Sequence, residues 1–150
     1  MMLAMTVEAQ INGSLVNALF YEEPAGTFVE GHVFRSAPDL ASALQDPDNG
    51  YWRCDIADQD SLSWSEKVYE LFGLRTGSPI GRDWAVDRYS EQSRSALERV
   101  RTLGLNRNLG FILDAEIRPE GAESRWIRVL AVPILSDRRV VELHGLKRAL

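Results

Sequence analysis

The segment YWRCDIADQDSLSWSEKVYELFG, residues 51–73, decides the fold of this chain. Its first part alternates the apolar residues Trp52, Cys54 and Ile56 with more polar neighbours, which is the period of a half-buried strand over 51–57. An acidic turn follows, and a second pair of apolar residues, spaced by two positions, indicates another short strand. The segment therefore predicts a β-hairpin that leads directly into a helix.

The helix after this hairpin has two possible starts. Ser63 and Glu66 have the spacing of a capping box, and Ser65 is an alternative N-cap. Gly73 suits the left-handed conformation that follows the last turn of many helices. The predicted buried stripe of the helix consists of Val68, Leu71 and Phe72.

The C-terminal half adds a second helical region and then more strands. Residues 74–89 are typical of a loop with a short helix, and a longer helix is predicted from its N-cap Ser90 to Gly104. A hairpin, then helices, then strands is the order of an α+β domain with an antiparallel sheet. The last three strands are predicted over 109–118, 124–134 and 139–147.

The first 35 residues are the least regular part of the sequence. Ile11, Leu15 and Leu19 recur every four positions, which indicates a helix, whereas 27–34 fits either a strand or an irregular arm. A further short helix is expected to begin around Pro38, because proline is favoured in a first helical turn. Its predicted apolar face consists of Ala37, Leu40, Ala41 and Leu44.

Composition excludes several classes of protein. The chain has 150 residues, a net charge of −5, 45% hydrophobic residues and one cysteine. Dispersed basic residues and a negative net charge argue against a nucleic-acid or anionic-membrane surface. A single cysteine allows no intrachain disulfide and fits a reducing compartment. No signal peptide or membrane-spanning stretch is visible, so a cytoplasmic protein is expected.

The residues that could bind a metal do not have the spacing of a known site. His32 and His144 are far apart and have no nearby cysteine or histidine, so no zinc site is predicted. Asp55 and Glu66 have the separation of the first and last ligands of a calcium loop. Asp60, however, stands where that loop needs glycine, so an acidic turn is the better interpretation.

The residues that could perform catalysis are equally sparse. Cys54 is predicted to be buried between Trp52 and Ile56, where its thiol would be inert. No nucleophile elbow, phosphate-binding glycine loop or dinucleotide fingerprint is present.

The order of motifs resembles that of a PAS domain, specifically a tryptophan-rich subclass found in bacterial sensor proteins. The resemblance rests on the hairpin with its helix ending in Leu-Phe-Gly, on the stretches 110–121 and 125–128, and on the final strand 140–145. It implies a five-stranded antiparallel sheet in the order 2-1-5-4-3 with helices on one face. It also implies a sensor domain over 48–150, preceded by an N-terminal extension and capping helix over 1–47.

The resemblance implies sensing or protein interaction rather than catalysis, and this chain departs from the family pattern in ways that bear on cofactors. The reactive cysteine of flavin-binding light sensors has no counterpart in 73–83, and the iron-ligating histidine of haem-binding members has none in 90–104. No cofactor is therefore expected. The usual His-Pro-Glu-Asp stretch is replaced at 89–93, and the usual terminal Asp-Ile-Thr is missing after Gly145. Whether the chain stands alone or comes from a longer sensor stays open.

Two sets of site residues are predicted. A small apolar or aromatic ligand could lie between sheet and helices, although the same side chains could simply form the core. The N-terminal segment carries too many apolar groups for a solvated tail, so we expect it to pack on the sheet and to contribute to the interface of a homodimer. The resemblance implies a signalling protein as a further partner. The alternative to a sensory module is a small pocket enzyme or carrier, of the isomerase or hydratase kind, acting on an apolar substrate. It is disfavoured because Asp55, Asp114 and Glu116 lie on strand faces opposite the apolar residues.

The residues predicted for the pocket and for the interface are the following. The pocket candidates are Trp52, Trp64, Phe72, Trp84, Phe111, Leu113 and Trp126, and the interface candidates are Ile11, Leu15, Leu19, Phe20, Leu40 and Leu44.

Overall fold

The computed structural model describes residues 13–22, 24–35 and 38–150. Within these residues the chain forms six strands, five helices and one 3-10 turn. The helices are α1 (Gly13–Glu22), α2 (Leu40–Ala43), α3 (Glu66–Leu71), α4 (Arg82–Asp87) and α5 (Glu91–Arg107). The strands are β1 (His32–Phe34), β2 (Gly50–Asp55), β3 (Ser61–Trp64), β4 (Gly110–Ile117), β5 (Arg125–Ser136) and β6 (Arg139–Ala149).

The six strands form one antiparallel sheet in the order β1-β4-β5-β6-β2-β3. Trp52 of β2 lies opposite Trp64 on one side and opposite Gly145 of β6 on the other. The hairpin predicted from residues 51–73 therefore joins the C-terminal strand rather than standing apart. This α+β architecture with an antiparallel sheet confirms the predicted fold class.

The predicted strand number was wrong, because β1 adds a sixth strand beside β4. This strand comes from the segment 27–34, which the sequence left open. Val33 and Phe34 are both buried although they point to opposite faces of the sheet. A strand covered on both faces lacks the alternation that reveals a half-buried one.

Two predicted boundaries also differ. Strand β2 ends at Asp55, and the chain turns through a 3-10 turn (Ile56–Asp58) before β3. Helix α5 continues through the predicted stop Gly104 to Arg107, and its C-cap Asn108 has a left-handed φ of 58°. Gly104 is needed for close packing instead, because a Cβ there would lie 2.8 Å from the carbonyl oxygen of Leu109.

The alternative starts of α3 are resolved in favour of Ser65. Its hydroxyl does not cap the helix but accepts a hydrogen bond from the Tyr51 amide at 2.9 Å, which ties the helix start to the hairpin. Gly73 follows the helix in the left-handed conformation, with a φ of 74°, as predicted for a glycine at this position.

Two apolar cores lie on opposite faces of the sheet. The larger one lies beneath α3, α4 and α5. The smaller one lies under α1 and α2, where Val16 and Phe20 contact Ile112, Leu130 and Leu146 of the sheet. We call these the helix-side face and the outer face. The N-terminal segment therefore covers strand surface that would otherwise expose apolar groups.

The predicted apolar face of α2 was partly wrong. Ala43 is the buried residue of this helix, whereas Ala41 and Leu44 are exposed. The helix is only one turn long, and its N-cap is Asp39, whose carboxylate accepts a hydrogen bond from the Ser42 amide. So short a helix cannot carry a stripe over two turns. Ala37 lies outside the described residues.

Candidate functional site

The candidate site is a small cavity on the helix-side face, between the sheet and helices α4 and α5. It encloses about 60 Å³. Its lining is mainly apolar, with three cationic side chains and one thiol. The lining residues are Trp52, Cys54, Leu62, Trp64, Arg82, Ala85, Val86, Tyr89, Leu97, Arg101, Phe111, Val129, Leu143 and Lys147.

Strand alternation places most of this lining. In β2 it directs Trp52 and Cys54 to the helix side, and in β6 it does the same for Leu143 and Lys147. Tyr89 follows the end of α4, where a backbone β-bridge to Ile117 holds it, and its side chain lines the cavity. The site is therefore built from rigid elements rather than from a loop.

The most unusual side chain of the site is Lys147, which is only 7% exposed. Its ammonium lies over four aromatic rings, at 5.3 Å from Trp52, 5.8 Å from Trp64, 5.1 Å from Phe72 and 5.7 Å from Tyr89. It donates one hydrogen bond, 3.1 Å long, to the Tyr89 hydroxyl. We call these four rings the aromatic cage. Within the described residues no carboxylate pairs with this ammonium.

The other two cations of the lining are already paired. Arg82 of α4 bonds Glu98 of α5, and Arg101 of α5 bonds Asp60 of the hairpin turn at 2.9 Å. All four side chains keep partial solvent access, so these ion pairs mark the solvent side of the cavity.

Cys54 is buried in the cavity wall. Burial raises the pKa of its thiol, which keeps the group protonated at neutral pH. Its Sγ lies 4.0 Å from Oδ1 of Asp60.

Six of the seven predicted pocket residues fall into three groups. Trp52, Trp64 and Phe111 line the cavity. Phe72 and Trp84 pack around Trp64, with ring centroids at 4.7 Å and 6.5 Å from it. Leu113 is fully buried in the same core but does not reach the cavity.

Trp126, the seventh predicted pocket residue, is not among the residues that line the cavity. It is 38% exposed, and alternation in β5 sends its neighbours Ile127 and Val129 to the helix side. Trp126 therefore lies on the outer face, and the loss of about 3–5 kcal/mol typical of truncating a core tryptophan is not expected there.

A second cluster of charge lies on the outer face, where Asp114 of β4 and Arg128 of β5 form a fully buried ion pair. Nε and Nη2 of Arg128 donate to the two carboxylate oxygens at 2.6 and 2.9 Å. The remaining guanidinium protons go to backbone carbonyls of the N-terminal segment, at 3.1 Å to Leu19 and 3.0 Å to Pro24.

The carboxylate of Asp114 reaches the same segment. Its Oδ2 accepts from the amides of Gly26 at 2.8 Å and Phe28 at 3.2 Å. We call Asp114 and Arg128, with these backbone partners, the clamp. It fastens the N-terminal segment to the sheet with charge-assisted hydrogen bonds.

Sequence reasoning missed the clamp because Asp114 was predicted on a strand face opposite the apolar residues. In the structure that face is buried, because the N-terminal segment covers it. One signal was available in the sequence, because Asp114 and Arg128 each interrupt an otherwise apolar stretch. The structure places them opposite each other in the β4–β5 register.

The interface candidates differ in their availability. Phe20 is 1% exposed and belongs to the smaller core of its own chain, so its side chain is not available on the surface. Leu15 and Leu44 are exposed, at 46% and 40%, while Leu19 and Leu40 are half-buried. Ile11 lies outside the described residues.

Neither a metal site nor a membrane span is found in the part of the chain that the structure describes. Across 13–22, 24–35 and 38–150, no group of three or more metal-binding side chains comes together. Among the same residues, no helix is long and apolar enough to span a membrane.

Comparison with known proteins identifies the fold. No family model matches the chain, and neither does any curated protein. Solved structures do match. A sensory box histidine kinase/response regulator from Burkholderia thailandensis has a TM-score of 0.61 and 11% identity, over 73% of this chain and 82% of that one. The N-terminal domain of a diguanylate cyclase with PAS/PAC sensor from Marinobacter aquaeolei has a TM-score of 0.60 and 14% identity, over 67% and 94%.

An RNA-binding light-oxygen-voltage receptor also matches, with a TM-score of 0.60 and 14% identity over 69% of this chain. This chain spans only 29% of the length of that receptor. Together these matches confirm the predicted PAS fold, and the tryptophan-rich subclass stays a prediction.

Proposed function

We propose that this chain is a non-catalytic sensory and interaction module in signal transduction, which takes a small ligand between its sheet and its helices. The observation that carries the proposal is the cavity beside the buried ammonium of Lys147. A partly open, largely apolar cavity with a few convergent polar groups is typical of ligand sites. The signalling role is supported by the solved structures of the same fold, which include sensor domains of a histidine kinase and a diguanylate cyclase.

The ligand is proposed to be small and not a covalently bound flavin or a His-ligated haem. A volume of about 60 Å³ has room for only a few water-sized groups. None of the lining residues is a histidine, and the one thiol, that of Cys54, has a raised pKa. These features also support a role in binding rather than catalysis.

A homodimer that acts in the cytoplasm with a signalling protein partner completes the proposal, with neither nucleic acid nor membrane as a partner. The outer face and its covering helices expose Leu15, Tyr21, Leu44 and Trp126, which are large enough to form an interface. The clamp connects this region to β4 and β5, two strands that also line the cavity through Phe111 and Val129. Strands β4 and β5 and the clamp therefore connect the cavity with the proposed dimer contacts.

The test is native mass spectrometry of the purified full chain, which reports both a retained small molecule and the oligomeric state. Ala85 lines the cavity and is buried, so Ala85→Trp should fill it and abolish retention. Ala41→Trp, on an exposed position of α2, is the matched control and should retain the molecule. Equal retention by both variants, or a wild-type protein that is monomeric and empty, would count against the proposal.

A further inference from the structure

The two lysines of this chain lie in opposite environments. Lys67 is on the surface of α3 and pairs with Glu70 at 3.2 Å, whereas Lys147 is buried among four aromatic rings. A cation taken out of water needs a counter-charge or several hydrogen bonds to offset its lost hydration. The cage supplies attraction to the ring faces, and Tyr89 supplies one acceptor.

The charge around the cavity is unbalanced. Three cations line it and no lining residue is acidic. Arg82 and Arg101 are neutralised by Glu98 and Asp60 at the solvent side. Lys147 also lines the cavity, and no carboxylate among the described residues contacts it. The cavity wall therefore holds a cation that only a hydroxyl and aromatic rings contact.

We propose that the cavity binds a small monocarboxylate, whose carboxylate group pairs with the ammonium of Lys147. This inference rests on the proposed ligand pocket and specifies the chemical class of its ligand. The Tyr89 hydroxyl accepts from Lys147 and still has its own proton to donate, so it can bond the second carboxylate oxygen. The apolar end of the ligand lies against Phe111, Val129 and Leu143.

Size and charge narrow the class of ligand. A cavity of about 60 Å³ accommodates on the order of four to six heavy atoms, as in acetate, propionate or butyrate. One ammonium balances one carboxylate, whereas a phosphate would bring up to two charges and three acceptors that these donors could not satisfy. The apolar remainder of the lining excludes more polar anions of the same size.

The experiment compares each carboxylate with its neutral isostere. Isothermal titration of the full chain with acetate, propionate and butyrate is expected to show saturable binding for at least one of them. Acetamide, propionamide and butyramide match them in size and should bind at least tenfold more weakly. Lys147→Met keeps most of the side-chain volume, and it should weaken carboxylate binding about thirtyfold or more, as for loss of one partner of a buried charge pair. The matched control Lys67→Met should bind as the wild type does.

A second measurement needs no variant. With lysine isotopically labelled, the chain gives side-chain NMR signals from two residues only. Ring currents of the cage should shift the Lys147 methylene signals upfield, and carboxylate titration should move these signals and leave those of Lys67 in place. Equal movement at both lysines, or equal affinity for carboxylates and amides, would overturn the inference.

Failure of this inference can be told apart from failure of the pocket itself. A neutral molecule that is retained by the wild type and lost in Ala85→Trp, together with no carboxylate binding, would leave the proposed function standing and refute the anion. An empty wild-type protein that binds none of the six probes would refute both.

Discussion

The two faces of the sheet each bury a cation, and they satisfy it differently. On the outer face Arg128 is paired with Asp114 and several backbone carbonyls, so its donors and charge are met within the chain. On the helix-side face Lys147 has four rings and one hydroxyl. Arg128 therefore has a structural role, because it fastens the N-terminal segment to the sheet. Lys147 has no carboxylate partner among the described residues, and the carboxylate of a ligand can take that place.

The largest expected effect comes from removing the N-terminal segment. Deletion of residues 1–35 takes away α1 and β1, uncovers Ile112, Leu130 and Leu146, and leaves the clamp without its backbone partners. The truncated protein should aggregate or lose the proposed dimer, because apolar sheet surface and a strand edge become exposed. Light scattering checks this, and an intact dimer of unchanged affinity would contradict it.

A single substitution in the clamp should have the next largest effect. Arg128→Met leaves the Asp114 carboxylate buried without its cation, which is expected to cost about 3–5 kcal/mol in the free energy of unfolding. Urea denaturation followed by circular dichroism measures the change. Arg94→Met breaks an exposed ion pair with Asp87 and should cost less than about 1 kcal/mol. Similar losses in both variants would show that burial does not set the strength of the clamp.

The same change of cation to methionine on the other face sharpens the comparison. Lys147→Met should alter the free energy of unfolding by no more than about 1 kcal/mol, because the lost cation–π attraction is offset by no longer burying an ammonium. Methionine also fills an apolar, aromatic site well. The same urea titration measures this change. A decrease in the free energy of unfolding as large as that of Arg128→Met would mean that Lys147 stabilises the fold as Arg128 does.

The smallest expected effect is a pH dependence contributed by His144. Burial lowers the pKa of this histidine, whose Nδ1 lies 2.8 Å from the Tyr51 hydroxyl. The unfolded chain therefore binds the proton more readily than the folded one, so this contribution to stability is present above pH about 6.5 and is lost as pH falls below that value. Urea midpoints of the wild type and of His144→Gln between pH 7.5 and 5.5 test this. A wild type whose stability rises on acidification relative to the variant would reverse the sign.

Much of the helix-side face could be read from the sequence. The hairpin residues Trp52 and Trp64 share one face by simple alternation, and the same rule gives β4 to β6. These signals are local, so they survive without knowledge of the partner strands. Phe111 as a cavity residue followed from the same reasoning.

What lies at a distance could not be read in this way. Lys147 looked like an ordinary charge at the end of a strand, because nothing local shows that the hairpin, α3 and α4 bring four rings around it. Trp126 was predicted to line the pocket because it is a large aromatic residue. Its residue type alone does not tell on which face of the sheet the side chain lies.

The amino-acid sequence by itself therefore determined the hairpin, the antiparallel sheet and the helix-side core, since each depends on a period of a few residues. Only the tertiary structure decided the sixth strand, the clamp and the cage. Each of these depends on burial, and burial is set by segments far apart in the chain: Pro24 and Leu19 meet Arg128, and Tyr89 meets Lys147. The sequence tells which side chains can carry a charge, but only the tertiary structure tells whether water or protein surrounds that charge.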